Sequence, residues 1–274
     1  MTRLLFIGDI VGRPGRELVR RGLASLAAHH RIDLVIANVE NAAAGFGVTP
    51  DIADDLLSYG IHVMTGGNHT WDKKEILPYF ADQPRLLRPA NMPAGAPGRG
   101  TYVARAENGA SVAVVNIMGR VFMTAIDDPF RVVLDEIAAV AATTRLVFVD
   151  FHAEATSEKI AMGWYLDGRA TAVVGTHTHV QTADERVLPQ GTAVITDVGM
   201  TGPHDGVIGV ERSAVLQRFL TGLPQRFETS SENPRLNAVI VTADEATGRA
   251  HAIERLSLSA KDIEALVAQP AASR

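Results

Sequence analysis

The chain has 274 residues and no cysteine, which excludes disulfides, thiolate-bound zinc, iron–sulfur clusters and cysteine nucleophiles. Its net charge of −5 leaves no electrostatic footprint for long nucleic acid or an anionic membrane surface, and no apolar run approaches the roughly 18 residues of a membrane span. The length suits one α/β domain over 1–274 with a short frayed tail at 269–274, and the absence of cysteine fits a reducing, cytoplasmic setting.

The first apolar run, Arg3 to Gly8, reads as a buried strand; its core is too short for a signal peptide and is interrupted at Asp9. Pro14 suits the first turn of a helix whose apolar face, Leu18, Leu23, Leu26 and Ala27, runs to about His30. Leu34 to Val39 is a second buried strand, followed by a small, glycine-rich loop from Ala42 to Val48. Thr49-Pro50 reads as an N-cap and first helical residue, with Gly60 closing that helix. His62 to Thr65 is a third strand, and Trp71 to Phe80 another helix. Proline and glycine make Arg88 to Gly100 irregular.

Thr101–Ala106 and Ser111–Ile117 flank Asn108-Gly109, a type I′ hairpin signal. Asp127-Asp128-Pro129 starts a helix that runs to about Ala142. Leu146 to Phe151 is a strand, Thr156 to Tyr165 a helix, and Ala170 to Val174 the strand before Gly175-Thr176-His177-Thr178-His179. Hairpins follow around Gln190-Gly191 and Thr247-Gly248, with a helix over Glu211 to Leu220 between them. The order βαβαβα, hairpin, αβαβ, hairpins predicts two sheets packed face to face with helices outside, rather than one doubly wound parallel sheet.

Polar residues that can hold metal stand where apolar strands end: Asp9, Glu40-Asn41, Asn68-His69, His152, and His177 with His179. Each has an ordinary alternative on its own. Asp9 could cap the next helix, Glu40 could pair with an arginine, Asn41 could cap its loop, Asn68 could stabilise a turn, and His152 could be a satisfied core histidine. Their joint occurrence at strand ends favours a metal centre. Carboxylate, amide oxygen and imidazole suit manganese, iron or zinc rather than copper(I). A carboxylate can bridge two cations about 3.5–4 Å apart that bind a phosphoryl group and activate water.

In their order and spacing, Gly8-Asp9, Glu40-Asn41, Gly67-Asn68-His69, His152 and Gly175 to His179 resemble the motifs of the calcineurin-like metallophosphoesterases. Two departures stand out: Val11 occupies the place of the usual histidine, and Val39-Glu40-Asn41 replaces the usual bridging aspartate motif. With Phe6 to Gly12 and Thr65 to His69, they resemble the YmdB-type branch. The resemblance implies a four-layer α/β/β/α sandwich of two mixed sheets. It implies a dimetal phosphodiesterase acting on cyclic nucleotides, notably 2′,3′-cyclic ones, through a hydroxide bridging the metals. It also implies a ligand assignment: Asp9, Glu40, Asn41 and His179 for one metal, and Glu40, Asn68, His152 and His177 for the other. Iron or manganese is expected, with zinc as an option, and His69 is expected to be the general acid. The expected partner is a small phosphoester; no membrane or long nucleic acid is expected, and a homo-oligomer is left open.

Competing motifs fail. Gly8 to Gly15 lacks the Gly-Lys-Ser/Thr of a P-loop, and Gly45-Phe46-Gly47 lacks the third glycine of a dinucleotide fingerprint. No serine-hydrolase elbow is present, and His152-Ala153-Glu154 lacks the cysteines of a zinc deaminase. The remaining alternatives are a phosphomonoesterase or nuclease on the same scaffold, and a metal-dependent nucleotide-binding signalling protein with little turnover. The histidine after Asn68 argues against a pure binder, which needs no proton donor.

Overall fold

Side chains alternate along the first strand, and the alternation sorts the core into layers. In the computed structural model, which describes residues 1–268, Leu4 and Phe6 enter a core shared by two sheets, while Leu5 and Ile7 face a layer of helices. The elements are β1 (Thr2–Ile7), α1 (Gly12–His29), β2 (Leu34–Asn38), α2 (Pro50–Ser58), β3 (Val63–Thr65), α3 (Ile76–Asp82), β4 (Thr101–Arg105) and β5 (Ser111–Met118). They continue with α4 (Pro129–Val140), β6 (Leu146–His152), α5 (Thr156–Tyr165), β7 (Ala172–Thr176), β8 (Arg186–Val187) and β9 (Ala193–Ile195). The last are β10 (Gly202–Pro203), α6 (Arg212–Thr221), β11 (Pro234–Ala243), β12 (Ala250–Ser259) and α7 (Ala260–Ala268).

One sheet has the order β10-β11-β1-β2-β3, with β12 on the other side of β11; the second runs β4-β5-β6-β7-β9-β8. Both are mixed. β1, β2 and β3 are parallel while β11 opposes β1, and β5, β6, β7 and β9 are parallel between antiparallel β4 and β8. Phe6 stacks on Phe148 between the sheets, with ring centroids 5.4 Å apart. Leu18, Val19, Leu23 and Leu26 of α1, Leu56 of α2 and Ile263 of α7 cover the outer face of the first sheet. Val133 of α4 and Met162 of α5 cover the outer face of the second. This is the expected α/β/β/α sandwich. No helix among the described residues is long and apolar enough to cross a membrane.

Three local readings change. The helix expected over Trp71 to Phe80 occupies Ile76–Asp82, with residues 71–75 in turns. Pro78 accounts for this, because proline lacks an N–H and clashes with the carbonyl four residues back, so it is tolerated only in a first turn. The 106–110 hairpin is not type I′: Gly109 has φ +91° but Asn108 is not in the left-handed region, and type I′ needs both. Instead Gly109 N–H donates to Ala106 O, and Asn108 Oδ1 accepts from Ala110 N–H. Helix α7 is an addition to the expected elements. Ser259 and Asp262 form a reciprocal cap there, Ser259 N–H to Asp262 Oδ2 and Asp262 N–H to Ser259 Oγ, and that spacing is a readable signal. The expected frayed tail at 269–274 lies outside the described residues.

Candidate metal centre and active site

In a parallel sheet the loops that leave the carboxyl ends of the strands share one edge. β1, β2 and β3 of the first sheet bring Asp9, Glu40-Asn41 and Asn68-His69 to that edge. β6 and β7 of the second bring His152, His177 and His179 there. Polar side chains tie the two edges together below the site. Asn38 Nδ2 donates to Asp150 Oδ2 at 3.1 Å, and the Asn116 amide accepts from Gly66 N–H at 3.1 Å and donates to Gly66 O at 3.2 Å.

Glu40 lies at the centre and is buried. Its Oε1 is 3.1 Å from His152 Nε2, and its Oε2 accepts the His69 N–H at 3.0 Å. Among the described residues it pairs with no arginine, so the expected alternative of an arginine pair does not apply there. Burial raises the Glu40 carboxyl, but the neighbouring His152 charge and hydrogen bond and the His69 N–H outweigh it and bring it to about 2. Burial pulls His152 down, but the Glu40 charge overrides it and lifts it to about 9; burial and the His152 charge bring His177 to about 3. A carboxylate this shielded, sharing its space with imidazoles, is a seat for positive charge.

Asp9 does not cap the next helix: α1 has Val11 as N-cap, with no side-chain cap bond. Asp9 Oδ2 accepts the His177 N–H at 3.3 Å, and its buried Oδ1 has no partner. Asn68 aims Oδ1 at His152 Nε2, 2.9 Å away. Asn41 presents its amide nitrogen to His179 Nε2 at 3.1 Å and to Glu40 Oε1 at 3.4 Å. As an oxygen donor it has to turn that amide over. His152 Nδ1 meets Thr176 Oγ1 at 2.9 Å, and Thr176 in turn donates to Asp150 Oδ1 at 2.7 Å. His179 Nδ1 donates to Ile208 O at 2.9 Å. Both arrangements hold a proton on Nδ1 and turn Nε2 inward, the usual way a protein fixes the tautomer of a metal-binding histidine.

These residues fit a metal. Ligand atoms of Glu40, His152 and His177 all lie within 4.8 Å of one another. The unpartnered Asp9 Oδ1 is a buried carboxyl oxygen with no hydrogen-bond partner among the described residues, and burial pushes that carboxyl above the usual carboxylate range, as a carboxyl short of positive charge does. Gly67 leaves room for the approach, since a Cβ there would collide with both Glu40 Oε2 and His152 Nε2.

His69 faces a different way from Asn68, but through a turn rather than an extended segment: Asn68, His69 and Thr70 lie in a turn closed by Thr70 N–H donating to Gly67 O at 3.3 Å. Its Nδ1 is 2.7 Å from Asp72 Oδ2, and its ring stands edge-on to Phe46 at 5.0 Å. His69 shares a pocket of about 120 Å³ with Glu40, Asn41, His177 and His179. Val11, where the resemblance lacks its histidine, lines the same pocket.

Residues 5–256 match a family model described as YmdB-like protein. The chain belongs to the YmdB-like family. A Bacillus subtilis (strain 168) protein named 2′,3′-cyclic-nucleotide 2′-phosphodiesterase is 51% identical over 257 residues, spanning 94% of this chain and 97% of its own. Among solved structures, a hypothetical protein from Thermus thermophilus superposes with a TM-score of 0.87 at 42% identity, covering 94% of this chain and 99% of that one. A structure described as a novel phosphatase of Mycoplasma pneumoniae does so with a TM-score of 0.88 at 34% identity, covering 94% and 93%. This YmdB-like chain is a phosphoric ester hydrolase, and its centre is of the divalent-metal kind.

Several residues of the YmdB-like site carried no sequence signal. Buried Lys159 and Asp197 form an ion pair at 2.7 Å beneath the Gly-x-His-x-His turn. Asp197 Oδ2 also accepts Thr178 N–H at 3.2 Å and Thr178 Oγ–H at 2.6 Å, pinning the residue between the two histidines. His177 (φ +93°) and His179 (φ +66°) both adopt the left-handed region, which costs a non-glycine residue free energy and persists only where the surroundings hold it. Glu154 Oε2 is 3.0 Å from His177 Nε2; in the sequence it figured only in the failed deaminase motif. Asp72, three residues after His69, had the spacing of a one-turn pair and was the one partner that could have been read.

Proposed function

We propose that the chain hydrolyses 2′,3′-cyclic nucleotides at the 2′ ester, with two metals per chain and His69 as general acid. The observation that carries this reading is the shared pocket: His69 stands over the same cavity as Glu40, Asn41, His177 and His179, while its own ring bonds to Asp72. The activity for which the Bacillus subtilis relative is named supports the substrate class. Asp9, Glu40, Asn41 and His179 would hold one metal, and Glu40, Asn68, His152 and His177 the other, with iron or manganese the expected ions. When bound, such a pair supplies Lewis acidity to a phosphoryl group and activates water.

The chain's own residues do the rest. Asp150, through Thr176, and the Ile208 carbonyl fix the rings of His152 and His179. Asp72 holds His69 by Nδ1, leaving Nε2 to carry a proton toward the pocket. A water oxygen joins phosphorus and gives up one proton to solvent, the bond from phosphorus to the ribose 2′ oxygen breaks, and the His69 Nε2 proton passes to that oxygen, His69 then regaining a proton from solvent. The product is a nucleoside 3′-monophosphate. Val11, Ile208, Val210 and Phe227 give the pocket an apolar lining alongside the polar cluster.

The test is a substrate panel on protein purified without added metal, with elemental analysis of the same sample. The expected result is hydrolysis of 2′,3′-cyclic nucleotides, supported by manganese or iron and abolished by chelators. Turnover of long single-stranded RNA or DNA with cyclic nucleotides inert sinks this reading and leaves the nuclease one. A second expectation concerns Glu40, the residue common to both sets. Glu40→Gln replaces a bridging anion by a neutral amide, so metal content should fall at both positions; full occupancy by elemental analysis in that variant would rule out the bridging role.

A further inference from the structure

Around the pocket that holds His69, the wall divides by chemistry. It comprises the cluster Glu40, Asn41, His69, His177 and His179 and a largely apolar remainder. Among the apolar residues Phe46 stands out. It sits in the small glycine-rich loop after β2 and keeps 37% of its surface exposed, a large value for an aromatic ring beside a buried centre. Its contact with His69 is edge-on, at 5.0 Å between centroids and 69° between planes. The other aromatic ring in the wall, Phe227, is different: the Arg218 guanidinium already lies over it at 5.5 Å.

We propose that Phe46 is the stacking platform for the nucleobase of the substrate, so that the pocket recognises a base-bearing cyclic phosphate without reading which base it is. The proposal rests on the cyclic-nucleotide reading and deepens it. In a 2′,3′-cyclic nucleotide the 2′ oxygen and the base are attached to neighbouring ribose carbons. A group that protonates the 2′ oxygen and a surface that takes the base must therefore be adjacent, and His69 and Phe46 are in ring contact. Every base offers a π face, so stacking tolerates all of them. Reading a base requires hydrogen-bonding side chains aimed at its edge, and the remaining polar side chains in the wall are Glu228 and Thr229. Glu228 lies 3.7 Å from Arg226, and Thr229 offers a single hydroxyl, next to Gly12 and Gly45. One carboxylate beside an arginine and one hydroxyl do not make the paired donor and acceptor that distinguish one base edge from another.

The test compares the wild type, Phe46→Ala and Phe46→Trp on adenosine 2′,3′-cyclic phosphate and on methyl riboside 2,3-cyclic phosphate, which keeps the reacting ring and lacks the base. Stacking on one aromatic is worth roughly 5- to 150-fold in binding. Phe46→Ala is expected to lower the ratio of kcat/KM for the base-bearing substrate over the base-less one by that factor, mainly through KM. Phe46→Trp is expected to restore the ratio. A second readout needs no turnover: the indole of Phe46→Trp should be quenched by adenosine 3′-monophosphate but not by ribose 3-phosphate, after subtraction of the wild-type signal of Trp71 and Trp164. Equal losses on both substrates, or equal quenching by both ligands, overturn the stacking role and make Phe46 a support for His69. A wild type inert on every cyclic nucleotide overturns the proposed function itself, whereas an active wild type with an unchanged ratio in Phe46→Ala overturns the subsite alone.

Discussion

Replacing His69 by Ala is expected to lower turnover of cyclic nucleotides by roughly 10²–10⁴-fold, the usual contribution of a positioned general acid. The same variant should keep its metal and its substrate affinity. Both expectations come from the geometry. The His69 imidazole bonds through Nδ1 to Asp72 and touches Phe46, and it makes no hydrogen bond to the Glu40, His152 and His177 cluster. Its backbone does touch the cluster, through the N–H donated to Glu40 Oε2 at 3.0 Å, and Ala retains that N–H. The leaving group distinguishes an acid from a structural residue. A ribose alkoxide is a poor leaving group unless protonated, whereas nitrophenolate departs without help. A nitrophenyl phosphodiester should therefore lose much less activity than a cyclic nucleotide. Loss of metal in the variant, or equal losses on the two substrates, would show that His69 supports the centre and does not donate the proton.

Replacing Lys159 by Met is expected to cost about 3–5 kcal/mol of stability, because it leaves a buried carboxylate without its counter-charge. Lys159 and Asp197 are both buried, and their charged atoms are 2.7 Å apart. An exposed pair is worth only about 0–1 kcal/mol, so burial decides the size of the effect. The damage should reach the centre as well. Asp197 Oδ2 holds Thr178 by two hydrogen bonds, and Thr178 separates two histidines in the left-handed backbone region. Without Lys159 that carboxylate draws other partners, and the turn loses the support that keeps His177 and His179 in place. Equilibrium denaturation should show the loss, and metal titration a weaker centre. Adding Asp197→Asn removes the stranded charge and should recover part of the stability in a double-mutant cycle. A loss below about 1 kcal/mol would place the pair among surface-like interactions.

The two expectations differ in how they could be reached. His69 is legible in the chain: it follows Asn68, closes a Gly-Asn-His motif and belongs to a resemblance that runs from Gly8 to His179. Lys159 is not. It lies in α5 and meets Asp197 across 38 positions of sequence, and nothing local distinguishes it from a solvated lysine. Glu158, its neighbour, is also buried, accepting the N–H groups of Arg120 and Val121, again through a distant loop.

Features that depend on near neighbours could be read from the chain. Apolar runs of strand length located β1, β2, β6 and β7, because a strand buried on both faces must be apolar throughout. Thr49-Pro50 and Asp128-Pro129 located helix starts, and both caps form: Thr49 Oγ1 accepts from Ile52 N–H, and Asp128 Oδ1 from Phe130 N–H. Polar residues at the ends of those strands named candidates that the fold gathers at one edge, because in a parallel sheet strand ends share one edge. Tertiary structure decided whatever depends on a partner far along the chain. It brought the edges of two separate sheets together, through Asn38 and Asp150 and through Asn116 and Gly66. It turned Asp9 away from the helix it could have capped, left one of its oxygens buried and unpartnered, and set Phe46 against His69. Hydrophobic period and capping chemistry act over a few residues and leave a pattern in the sequence; packing two sheets face to face pairs residues with no fixed spacing, so it leaves none.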